Sequence, residues 1–98
     1  MNIQALMKQA QNMQREITKE KEEIDKMEFT GSSSLVSVVV NGKKEILKVN
    51  IEKDEGLFED ISMLEDMIML ATNNAFKEVD KKTEEKLGKY SNMMSGLM

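Results

Sequence analysis

The amino-acid sequence predicts an α+β fold in which a three-stranded antiparallel sheet lies between two long helices, in the order α-β-β-β-α. Three observations predict it. Residues 3–27 carry apolar residues in heptad register with no Gly or Pro, the pattern of a long helix. Residues 35–52 alternate apolar and polar positions on either side of Asn41-Gly42, the pattern of a hairpin. Residues 60–87 are apolar on several sides at helical spacing, and a helix of that kind needs cover on more than one side.

In the first helix Ile3, Ala10, Ile17 and Ile24 recur every seven residues, and Leu6, Met13, Glu20 and Met27 recur in step three positions later. Glu20 is the one polar break in this seam. At 1.5 Å per residue the helix spans about 37 Å, more than a small domain needs. Lys8, Arg15, Lys19 and Lys26 fall within a narrow arc opposite the seam. Such a stripe is either a solvated face held by intrahelical ion pairs or a surface that meets phosphates.

Residues 28–34, EFTGSSS, break the helical pattern. Phe29 and Thr30 favour a short first strand, and Gly31 with the serines signals a bend or bulge. The run lacks the Lys and the strand–turn–helix setting of a phosphate-binding loop. In the hairpin Val36, Val38 and Val40 share one face of the first arm, and Leu47, Val49 and Ile51 share one face of the second. Asn41-Gly42 supplies residues that tolerate positive φ in a tight turn. Together residues 28–52 make the sheet. A turn around Gly56 follows, and Asp60 competes with Ser62-x-x-Glu65 to cap the second helix.

That helix, residues 60–87, organises the chain. Leu57, Ile61, Leu64, Ile68, Ala71, Ala75 and Val79 form one stripe at 100° per residue; Met63, Met67 and Leu70 form a second, and Met69 and Phe76 leave apolar area on a third side. One side suits the chain's own sheet, and the Met63, Met67 and Leu70 stripe suits a second copy. A two-fold dimer that pairs these helices, and the sheets with them, buries what one protomer cannot. Past Val79 the stripe turns basic at Lys82, Lys86 and Lys89, so this end should project from the body. Gly88 is a natural helix stop, and residues 90–98 read as a mobile tail.

Composition narrows the function classes. The chain of 98 residues has no Cys, His, Trp or Pro. Disulfides and thiolate metal sites are excluded, and the usual general base near neutral pH is missing. No catalytic constellation is visible, so no enzyme is expected, and neither is a cofactor or a small-molecule substrate. The acidic entry to the second helix lacks EF-hand spacing, so no metal is expected there. Without a signal peptide or an apolar span the reading is a soluble cytosolic protein off the membrane. The net charge of −4 is uneven: residues 54–74 hold six carboxylates and no Lys or Arg, and the remainder is close to neutral. A net-acidic chain argues mildly against nucleic acid, but local patches overrule net charge.

Several stretches together resemble the YbaB/EbfC family of bacterial nucleoid-associated proteins. They are Leu6-Met7-Lys8-Gln9-Ala10-Gln11-Asn12-Met13-Gln14; Thr30-Gly31, Leu35-Val36 and Val38-Val39-Val40-Asn41-Gly42; Met63-Leu64-Glu65-Asp66-Met67-Ile68 with Ala71, Asn73 and Ala75; and Lys86-Leu87-Gly88-Lys89. Three features depart from the family pattern. Lys44 stands where a second turn glycine is common, Glu59-Asp60-Ile61-Ser62 replaces a Pro-containing helix entry, and the Gly/Pro/Met-rich C-terminal stretch is short. The resemblance implies one domain over residues 1–98 and an intertwined homodimer whose helices project like the arms of tweezers. It also implies DNA binding in the cytoplasmic nucleoid, with effects on DNA conformation, nucleoid organisation and gene expression. On that reading Lys8, Arg15, Lys19, Lys82, Lys86 and Lys89 contact phosphates, which position a protein without reading bases. The alternative is a protein-binding or chaperone-like module, because two heptad-like helices joined through a hairpin are also similar to the beta-type prefoldin subunit.

Overall fold

The computed structural model describes residues 2–96, with side chains described through Ser91. Helix α1 (Ile3–Lys26) leads into strands β1 (Glu28–Ser33), β2 (Val36–Asn41) and β3 (Ile46–Ile51), then a short helix α2 (Glu55–Glu59) and a long helix α3 (Ile61–Gly96). The strands form one antiparallel sheet in the order β1-β2-β3. The α-β-β-β-α order is therefore as expected, with α2 added. Asn2 caps α1 by accepting from the backbone N–H groups of Gln4 and Ala5, which satisfies donors that a helix start leaves open. At the other end Met27 is extended and donates its N–H to the Ile24 carbonyl at 3.0 Å, so the chain turns straight into β1.

The core lies between the sheet and the middle of α3. Val36, Val38 and Val40 alternate inward along β2 and pack with Phe29 of β1 and with Ala71, Ala75 and Val79 of α3. Small residues on α3 let the helix sit close to β1. A Cβ on Gly31 would overlap the backbone of Ala71 and Ala75. Gly31 is thus an inward position of a regular strand and makes no bulge; the glycine serves close approach. The chain leaves β1 through Ser34-Leu35, where Ser34 takes φ 52°.

The second turn also differs from expectation. Neither Asn41 nor Gly42 has positive φ; Lys44 does, at 61°. Lys44 N–H donates to the Asn41 carbonyl, and the Asn41 side chain accepts from the N–H groups of Lys43 and Glu45. This is a longer hairpin loop, with a turn followed by one left-handed residue. Gly42 is needed because its Cα faces the backbone of Ile24 and Asp25, where a Cβ would not fit. Lys44 then reaches Asp80 of α3 at 2.8 Å and lies 5.9 Å from the Phe76 ring centre, tying the hairpin to the helix.

Asp54 caps α2 through Leu57 N–H, and Leu57 is buried. Asp60 breaks the helical path with φ −110° and ψ 83° and accepts from Met63 N–H at 3.0 Å. Asp60 is thus the cap of α3. The stripe from Leu57 to Val79 is split: Leu57 belongs to α2, and Ile61 is exposed where α3 runs beyond the sheet.

Past the sheet α3 pairs with α1. Ile24 shares a crevice with Thr83 and Leu87, while Glu16 accepts from the Tyr90 hydroxyl at 3.4 Å. Later positions on α3 meet earlier ones on α1, so the pair is antiparallel. The molecule measures 70 × 22 × 14 Å, with the sheet near one end and the helix pair reaching toward the other. The heptad seam is buried at Ile24, half-buried at Ile17 and Met13, and exposed at Ala10, Leu6 and Ile3. The helix does not stop at Gly88 but continues to Gly96. A glycine inside a helix costs only about 1 kcal/mol relative to Ala, which burial of Tyr90 and packing of Leu87 offset. The expected tail of 90–98 is therefore helical through Gly96, and Leu97 and Met98 lie outside the described residues.

Two predictions follow from this packing. Gly31→Ala should destabilise the protein by about 3 kcal/mol, since a backbone–backbone contact cannot relax, while Gly88→Ala should gain about 0.5–1 kcal/mol because its Cβ meets only the flexible Glu84 carboxylate. Denaturant melts of the two variants should move in opposite directions. Tyr90→Ala should open the helix pair at a cost of about 3 kcal/mol and speed amide exchange in the N-terminal half of α1 while β2 stays protected.

Candidate nucleic-acid interface

The end of the helix pair far from the sheet carries more basic than acidic residues. Residues 3–19 hold Lys8, Arg15 and Lys19 against the single carboxylate Glu16. Residues 20–28 reverse the balance, with five carboxylates and two lysines. The carboxylates of residues 54–74 lie on and before the sheet-side start of α3. Charge is thus sorted along the long axis, acidic toward the sheet and basic toward the distal end, in a chain whose net charge is −4.

The helical phase of α1 puts Ile24, Ile17 and Met13 toward α3, and this leaves Arg15 and Lys19 exposed on the outer side. Lys8 lines an open groove between the helices together with Gln9, Asn12 and Glu16, and α3 supplies Lys89 and Tyr90 from across it. Lys89 Nζ lies 5.0 Å from the Tyr90 ring centre. The structure therefore brings Lys8 and Lys89 to one groove, and Arg15 and Lys19 do not line it. Amide side chains and ammonium groups in such a groove are donors suited to phosphate oxygens.

Lys82 and Lys86 are placed differently. Both are half-buried. Lys82 opens into a separate cleft with Met27, Phe29 and Glu78, and its ammonium lies 3.6 Å from Glu85. It does not share the groove of Lys8 and Lys89. Tyr90 was the residue that sequence reasoning missed. Its signal was present: Val79, Thr83, Leu87 and Tyr90 continue the inward stripe at spacings of four, four and three.

The opposite end is apolar and uncovered. α3 lies across β1 and β2, and β3 receives no comparable packing. Val49 pairs with Val38 and shares its face, yet Val38 is 0% exposed and Val49 is 44% exposed. A bulge opposite Val39 and Val40 makes Leu47 an extra residue, and Ile46 and Leu47 are exposed as well. Phe58 of α2 and Ile61, Met63, Met69 and Leu70 of α3 are exposed as well, Met69 on a different side of the helix from Met63 and Leu70. Met67 is half-buried against the core. Of the expected pairing stripe, Met63 and Leu70 are open and Met67 is partly covered. Ile46, Phe58 and Ile61 are exposed too, although the sequence did not single them out for pairing. Exposed apolar area on this scale marks an interaction surface.

Among the described residues no three carboxylates converge on a metal-sized space, and no helix is long and apolar enough to cross a membrane.

Comparison with known proteins gives the family and the fold. The model of the YbaB/EbfC DNA-binding family matches residues 1–94. A nucleoid-associated protein of Clostridium novyi is 45% identical over 91 residues, covering 91% of this chain and 80% of that protein. A nucleoid-associated protein of Enterococcus faecalis is 37% identical over 97 residues, covering 97% and 93%. The crystal structure of an uncharacterized protein from Helicobacter pylori superposes with a TM-score of 0.71 at 27% identity, covering 96% of this chain and 98% of that one. With a family match over nearly its whole length, on a fold shared with a solved structure, the chain belongs to the YbaB/EbfC DNA-binding family.

Proposed function

We propose that this protein is a nucleoid-associated DNA-binding protein that works as a homodimer, pairing through its apolar end and meeting DNA phosphates with its basic distal end. The observation that carries the reading is the net sorting of charge along the molecule, with Lys8 and Lys89 facing one groove at the end far from the six carboxylates of residues 54–74. Membership of a DNA-binding family rather than an enzyme family supports it.

Lys8, Arg15, Lys19 and Lys89 neutralise phosphates and release condensed counterions. Lys82 and Lys86 extend the same helix and add to the field. Few aromatic side chains and no arginine cluster reach base edges, so the protein tracks the backbone and responds to DNA shape. A dimer presents two such ends, and the second contact becomes intramolecular once the first has formed. Two linked contacts on one duplex constrain its path, which is how the protein influences DNA conformation, nucleoid organisation and gene expression from the cytoplasm.

For the pairing surface, a second copy is the occupant that one chain requires. Met63, Met67 and Leu70 form its helical part, and Leu47 and Val49 of β3 its sheet part. The exposed Ile3, Leu6 and Met7 at the start of α1 favour a second reading, in which the distal end grips a protein client as a prefoldin-like module does. Recovery of protein partners after nuclease treatment would support that alternative.

DNA affinity should fall steeply between low and high salt in mobility-shift titrations, and Lys8→Ala with Lys89→Ala should weaken binding evenly across sequences and reduce the salt slope by about one per contact removed. Equal affinity at both salts would overturn the phosphate reading. Met63→Glu with Leu70→Glu should shift the mass measured by light scattering from dimer to monomer while circular dichroism keeps its helical signal, because two carboxylates cannot be buried at the paired surface without partners.

A further inference from the structure

We infer that the bare apolar face at the start of α1 is a second self-pairing surface, through which the distal ends of two dimers meet tip to tip when both are held on DNA. The inference rests on the DNA-binding reading and on pairing at the sheet end. Ile3 is 70% exposed, Leu6 45% and Met7 58%. They stand at i, i+3 and i+4, and the exposed Ala10 follows at i+7, the spacing of one helix face. All four lie on the helix pair, away from the sheet end.

Charge and polarity select the occupant. Lys8 is the one charged side chain between Asn2 and Gln14. At 3.6 residues per turn it lies about 140° round the helix from Ile3. A phosphate backbone or an anionic lipid surface needs cations on the contact face, and this face presents none. Its borders include Gln4, Gln11 and Gln14, all exposed. A side-chain amide both donates and accepts, so an apolar strip edged with amides is complementary to a second copy of itself. Two strips fit antiparallel about a two-fold axis between Leu6 and Met7. Ile3 then faces the small Ala10, Leu6 faces Met7, and the two Lys8 side chains stay outside the contact. The molecule is 70 Å long with the sheet near its other end, so the tips overlap while the two bodies lie on opposite sides.

The strip is short. Three turns of helix bury on the order of several hundred Å², below the roughly 1,200 Å² of a stable interface. The contact is therefore weak between free dimers and forms when a shared duplex raises their local concentration. Dimers joined in this way bind long DNA cooperatively.

The chain has no Cys, so single cysteines report contacts without background. The test is oxidative cross-linking of the full chain carrying Leu6→Cys, or Ala5→Cys about 160° round the helix from Ile3, with and without a long duplex. The products are weighed by light scattering in salt that releases DNA. Leu6→Cys should cross-link on DNA about tenfold faster than Ala5→Cys, and its product should weigh as joined dimers. Leu6→Gln with Met7→Gln should leave affinity for a duplex that holds one dimer unchanged and weaken binding to a long duplex by about tenfold. Leu6→Cys that cross-links no faster than Ala5→Cys on DNA would overturn the proposal alone and leave the face to a protein client. A cross-linked product that weighs as a single dimer would overturn it too, since the tips would then meet within one dimer. Protein that binds no duplex at low salt would overturn the DNA-binding reading and this proposal with it.

Discussion

The contact of Gly31 with Ala71 and Ala75 governs the rest of the molecule. Ala71 and Ala75 are fully buried, and Gly31 brings β1 against their backbone. Larger residues at any of the three positions would lift α3 off the sheet and empty the space that Val36, Val38 and Val40 fill. Because the closest approach is at β1, α3 lies over β1 and β2 and leaves β3 bare. Because α3 continues in a straight run past Val79, its second half leaves the sheet and needs another partner, which is α1. The apolar end and the basic distal end are thus two consequences of one close contact.

Lys44 and Gly42 secure the hairpin within this frame. Lys44 takes a left-handed conformation that disfavours a residue with a Cβ by roughly 1 kcal/mol, and its side chain meets Asp80 and Phe76. The ion pair is exposed, so its contribution is at most about 1 kcal/mol. The two effects nearly offset each other. Gly42, by contrast, is fixed by space: α1 ends against it. The hairpin therefore acts as a spacer that sets where α1 finishes and so how far the helix pair can run.

Periodicity made most of the elements legible. The heptads of α1, the alternation in β2 and the Ala71, Ala75 and Val79 stripe each describe one face of one element; the faces of β2 and α3 are buried, and that of α1 is buried only toward its C-terminal end. Contacts between elements were less legible. Gly31 and Gly42 looked like turn residues because a sequence displays conformational freedom and hides close approach. Gly88 looked like a stop because the burial that carries α3 onward comes from Tyr90 against a helix more than seventy residues earlier in the chain. The short helix α2 was hidden because Leu57 falls in phase with the stripe of α3, although Asp60 separates the two. For the distal site, the basic residue types and their arc on α1 were visible. Their meeting with Lys89 was not, since it depends on the antiparallel pairing of α1 with α3.

A single continuous helix joins the two functional ends. At 1.5 Å per residue, the 36 residues of α3 span about 54 Å. Met63, Met69 and Leu70 sit in its first turns, and Lys86 and Lys89 sit near its other end. A packed helix of this kind is stiff, so in the proposed dimer the geometry of pairing at the apolar end would fix the separation and direction of the basic ends. On the proposed function, the acidic residues near the sheet would repel DNA from the body and the lysines would draw it to the distal end. The net charge of −4 therefore does not oppose DNA binding. On the proposed function it would confine binding to the part of the molecule that the helix carries furthest from the sheet.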